Sequence, residues 1–67
     1  MKKIEEIKIE GYVGKWYEID TYKNYRLLEH AYYGDETCWL VVDENNKVIC
    51  ETYDDIRTAL RDEGIEE

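Results

Sequence analysis

The residues with the most chemical potential are carboxylates. Glu18 and Asp20 stand two apart in Lys15-Trp16-Tyr17-Glu18-Ile19-Asp20, and Glu29 follows within Tyr25–Tyr33. Residues two apart on a strand point to the same side. A hairpin closed at Thr21–Asn24 pairs Asp20 with Tyr25, Glu18 with Leu27 and Trp16 with Glu29. That register gathers Glu18, Asp20 and Glu29 on one face as a candidate catalytic set. Such a set, with Asp20 and Glu29 as ligands, can hold a hard cation such as Mg²⁺, and metal-assisted phosphodiester cleavage uses groups of this kind. The plainer reading is a solvated acidic face, which arises readily in a chain with 17 Asp plus Glu.

Other residue types narrow the chemistry. His30 is the sole histidine and, one position from Glu29, points to the opposite face; it suits a general base or a structural role. The chain has no serine, so a serine-based triad is excluded. Cys38 and Cys50 have apolar or acidic neighbours rather than the basic ones that activate a thiolate, and read as core-filling thiols. Nothing has zinc-ligand spacing, and no glycine-rich loop can cradle a phosphate. The aromatics Tyr12, Trp16, Tyr17, Tyr22, Tyr25, Tyr32 and Tyr33 could stack bases or fill a core and an interface. Only 9 Lys plus Arg accompany them, for a net charge of -8. That balance disfavours phosphate-backbone binding and suits a partner with a basic groove.

The elements that must position these groups centre on Thr37–Asp54. Trp39, Leu40, Val41, Val42, Val48 and Ile49 are strand formers, and Asn45-Asn46 can form a type I′ turn between them. This sets Val42 opposite Ile49, Leu40 opposite Glu51, Cys38 opposite Tyr53, Val41 opposite Cys50 and Trp39 opposite Thr52. The cysteines then face opposite sides and stay free thiols. Met1–Glu6 is a loose lead-in. The first strand begins at Ile7, bends at Gly11 and Gly14 and continues to Asp20. Tyr25–Tyr33 is the second strand, with Gly34 closing it.

A helix over 54–63 completes the chain. Asp54 or Asp55 caps it, Ile56, Ala59 and Leu60 form its apolar stripe, and Gly64 stops it. The expectation is a single α+β domain over residues 1–67: a four-stranded antiparallel meander over 7–53 followed by one C-terminal helix, β-β-β-β-α. One short helix cannot cover both faces of so apolar a sheet. The bare face should therefore meet another copy, in a dimer or higher oligomer, through Trp39, Val41 and Val48. No apolar run reaches membrane-spanning length and the first residues lack a signal-peptide core, so a reducing cytoplasm is the expected setting.

The runs Gly14-Lys15-Trp16-Tyr17-Glu18-Ile19-Asp20, Leu27-Leu28-Glu29-His30, Tyr33-Gly34-Asp35-Glu36 and Leu40-Val41-Val42-Asp43 resemble small proteins of phages and mobile elements in gut Firmicutes, and a module of large polyvalent proteins of conjugative elements. The resemblance covers roughly residues 11–57; Ala31 stands where an acidic residue is usual. The order β-β-β-β-α is also similar to the transcriptional coactivator positive cofactor four, a dimeric binder of single-stranded DNA. An anti-CRISPR protein of that fold resists the type II effector nuclease by relaxing supercoiled plasmid through nicking. The resemblance implies a counter-defence protein of a bacterial host's cytoplasm, acting on plasmid DNA or on the nuclease. Metal-dependent nicking would place Asp20 foremost. The alternatives are an acidic DNA mimic that binds the nuclease and an interaction module without chemistry.

Overall fold

The computed structural model describes residues 6–34 and 36–65. Except for Glu6, the expected lead-in lies outside them. The element order is β1 (Ile7–Lys8), β2 (Lys15–Tyr22), β3 (Tyr25–His30), β4 (Trp39–Val42), β5 (Val48–Thr52) and α1 (Ile56–Asp62). The strands form one antiparallel sheet in chain order. There are five strands rather than the expected four. The difference arises at Gly11 and Gly14, both at φ +88°. Glycine enters this region freely. The two together reverse the chain instead of merely bending it, so Ile7 pairs back onto Trp16.

Both later hairpins carry a single-residue irregularity. Tyr22 pairs with Tyr25 across a two-residue turn, Asp20 with Leu27 and Glu18 with Leu28, leaving Ile19 bulged. The expected pairs of Asp20 with Tyr25, Glu18 with Leu27 and Trp16 with Glu29 are thereby displaced. In the last hairpin, Trp39–Thr52, Leu40–Glu51 and Val41–Cys50 pair as expected, but Val42 meets Val48 rather than Ile49. The cause is the turn. Asp43 accepts the Asn46 N–H through its carbonyl and donates its own N–H to the Lys47 carbonyl, each at 3.0 Å. Its Oδ1 accepts from the N–H groups of Asn45 and Lys47. Asn46 takes the left-handed conformation at φ 63°. A three-residue loop of this kind adds a bulge that a two-residue turn lacks.

The helix forms as its sequence demands. Asp55 Oδ1 accepts from the Thr58 N–H at 2.7 Å, the side-chain cap that the orphan donors of a helix start require. At the other end the Gly64 N–H donates to the Arg61 carbonyl and the Ile65 N–H to that of Leu60, the Schellman pattern. Ile56, Ala59 and Leu60 are buried against Leu27 and Val41, with Tyr22, Tyr25, Trp39, Ile49 and Cys50 at the margin. On the opposite face Trp16, Leu28, Leu40 and Val42 pack beneath Ile9, with Ile7, Tyr12 and Val48 around them. The face that α1 leaves bare is thus covered by the chain's own arm, residues 7–13. Of the expected interface residues, Val41 is 0 % exposed beneath α1, Trp39 is half-buried on that side, and Val48 packs on the arm side.

Candidate functional site

The register parts Glu18 from the other two carboxylates read from sequence and leaves Asp20 and Glu29 on the helix side of the sheet. Glu18 pairs with Leu28 of the arm-side core, whereas Asp20 pairs with Leu27 of the helix-side core. The bulge at Ile19 therefore sends Glu18 and Asp20 to opposite faces. Glu18 makes an ion pair with Arg26 at 3.6 Å. Asp20 is exposed, and its Oδ1 accepts from the Thr21 N–H at 2.8 Å. Glu29 lies across from Tyr17, on the Leu27 side of β3. Among the described residues no three His, Cys, Asp or Glu side chains come together as a metal-binding group.

His30 occupies a structural centre. It is 8 % exposed. Its Nδ1 accepts from the N–H groups of Tyr32 at 3.0 Å and Tyr33 at 3.1 Å. An Nδ1 with two donors aimed at it carries no proton, so the hydrogen sits on Nε2 and is donated to the Val13 carbonyl at 3.1 Å. One imidazole thus ties the reversal after the arm to the turn after β3. Gly14 makes room for it, since a Cβ there would stand 2.5 Å from Nε2. The ring packs edge-on against Trp16 at 4.9 Å and tilted against Tyr33 at 5.0 Å.

Glu51 fastens the arm from the other side. Its Oε2 accepts from the Tyr12 hydroxyl at 2.9 Å and its Oε1 from the Cys38 thiol at 3.3 Å. The bond to Glu51 is the main cause that raises the Tyr12 phenol above its ordinary value. Burial, then the same carboxylate, raises the Cys38 thiol. Cys50 is raised by burial and by the charges of Glu63 and Asp62. Both cysteines are free and held in the protonated, poorly nucleophilic form.

Sequence reasoning did not assemble two surface features. The first is a groove between β5 and α1 bordered by the acids Asp54, Asp62 and Glu63, with no Lys or Arg in its lining; Glu51 adds to its wall, but its carboxylate is turned to the arm side. Asp54 precedes α1 while Asp62 and Glu63 end it, and only the packing of α1 beside β5 makes them one surface. The second is an exposed aromatic corner at Val13, Tyr32 and Tyr33. In the sequence Tyr32 and Tyr33 are indistinguishable from the core aromatics, and only the end of β3 at His30 puts them outside the sheet.

Comparison with known families decides the affiliation. The model of large polyvalent protein-associated domain 18 matches residues 2–66. The chain belongs to that family. The match spans the whole fold, from the segment before β1 through α1, and extends beyond the blocks in which the resemblance to a polyvalent-protein module was read. No curated protein and no solved structure matches the chain. No helix among the described residues is long and apolar enough to cross a membrane.

Proposed function

We propose that this domain is an acidic interaction module that works by binding a basic surface of another protein. The observation that carries this reading is the groove between β5 and α1, whose lining includes Asp54, Asp62 and Glu63 and no Lys or Arg, in a chain of net charge -8. Acidic surfaces steer basic partners and reject nucleic acid by the same field. Membership of a polyvalent-protein module family fits a part that recognises and tethers. In a mobile element the fitting role is counter-defence. The partner would be a nucleic-acid-handling protein, such as a host's type II effector nuclease, with its basic channel occupied in place of DNA.

The test is a titration with labelled oligolysine peptide at increasing salt. Binding should weaken steeply as ions screen the charges. The triple variant Asp54→Asn, Asp62→Asn, Glu63→Gln should weaken it further at low salt. Absence of binding at low salt, or affinity that ignores salt, overturns the reading.

A further inference from the structure

The acidic surface accounts for attraction but not for specificity, and the aromatic corner supplies what it lacks. Val13, Tyr32 and Tyr33 are 91 %, 83 % and 53 % exposed. The two tyrosine rings meet edge to face at 4.9 Å. They stand on a turn that is already fixed: His30 Nδ1 takes the N–H groups of both residues, and the His30 carbonyl accepts from the Gly34 N–H at 2.9 Å. Aromatic side chains presented on ordered backbone bind with little entropy to lose.

Acidic residues share the turn that carries the rings. Glu29 reaches over the residue after Tyr33, where a Cβ on Gly34 would meet its Oε1 at 3.3 Å. The exposed Glu36 lies in the same turn, its backbone N–H donated to the Tyr33 carbonyl at 3.0 Å. Lys15 and Glu6 line a hollow with Tyr32. An exposed Tyr32 ring, braced by a Tyr33 ring that itself packs on His30, with acidic residues in the same turn suits a planar cation, which stacks on a ring while its edge donates to carboxylate oxygens. A phosphate backbone would meet Glu29 and Glu36 unfavourably.

We propose that the corner of Val13, Tyr32 and Tyr33, with Glu29 and Glu36, is the anchor point for an arginine-bearing segment of a basic partner protein. The proposal rests on the acidic-module reading and adds a residue-level site to it. The experiment titrates labelled oligoarginine and oligolysine peptides of equal length into wild type, Tyr32→Ala and Tyr32→Ala/Tyr33→Ala, at one low salt concentration. Removing the stacking ring and its brace makes the double variant roughly tenfold weaker for oligoarginine, with a much smaller loss for oligolysine. Tyr32→Ala alone, at a solvent-exposed side chain, should keep the wild-type melting temperature and show part of the loss.

If wild type binds both peptides and neither variant discriminates between them, the corner is not the anchor, while the acidic-module reading stands. If wild type binds neither peptide, both fall. Two further results overturn the corner: a single-stranded oligonucleotide that binds wild type but not Tyr32→Ala, or sedimentation showing a dimer that Tyr32→Ala dissolves. The first would make the rings a base-stacking platform, and the second a contact between copies.

Discussion

On one face of the sheet Leu27 and Val41 lie beneath Ile56, Ala59 and Leu60 of α1; on the other, Leu28, Leu40 and Val42 lie beneath Ile9 and Tyr12 of an irregular arm. The helix satisfies its own backbone and is closed at both ends by local caps. The arm has only a two-residue strand and is fastened by side chains: Tyr12 to Glu51, and His30 to the Val13 carbonyl. A regular cover carries its instructions in its own residues. An irregular cover depends on residues of the sheet it covers, and those residues are then less available for chemistry.

The largest effects should come from the covers themselves. Ile9→Ala and Leu60→Ala each remove a nearly fully buried side chain and should each cost about 2–4 kcal/mol. That is a large share of the roughly 3–10 kcal/mol expected for a domain of this size. Denaturant unfolding of the two variants compares the faces directly. A much smaller loss for Ile9→Ala would mean that the arm is no true cover.

Gly14→Ala comes next, at about 1–3 kcal/mol, because it combines positive-φ strain with a Cβ that meets His30. Gly11 shares the φ of +88° but has open space around it. Gly11→Ala should therefore show the strain alone, and an equal loss at both positions would remove His30 as the fastening.

Tyr12→Phe deletes one partly exposed hydrogen bond to Glu51 and should cost about 0.5–1 kcal/mol, with no matching loss on the helix side. Thermal melts of Tyr12→Phe and Glu51→Gln, alone and combined, should show the two losses failing to add.

The smallest effect is in pH. The Asp55 carboxyl is held below the usual aspartate range chiefly by the Thr58 N–H, and Asp43 by that of Lys47. With folded values depressed, their contribution is fully present above the unfolded aspartate value and is lost as pH falls through the folded values. Melting temperature should decline in that acid window. Asp55→Asn, which keeps a capping oxygen, should flatten its part of the decline.

Legibility in the sequence followed the same division. The span Ile56–Leu60 declared itself by period and cap, and Trp39–Thr52, Leu40–Glu51 and Val41–Cys50 followed from alternation. What failed were single-residue events. Gly11 and Gly14 read as a bend because glycine permits bulge and reversal alike, and only Ile9 finding Leu40 and Val42 selects the reversal. The bulge at Ile19 has no marker of its own, yet one residue of slip exchanges the faces of a strand. It separates Glu18 from Asp20 while leaving Asp20 on the side of Glu29. The residues expected to form an interface, Trp39, Val41 and Val48, do not share a face: Trp39 and Val41 lie on the α1 side and Val48 on the arm side.

The central claim, that this acidic domain acts by binding rather than by cutting, is tested most directly by incubating the purified protein with supercoiled plasmid in the presence of Mg²⁺. The account predicts that the plasmid stays supercoiled, since Glu18 and Asp20 face apart. Conversion to the nicked, relaxed form that is abolished in Asp20→Asn would contradict it.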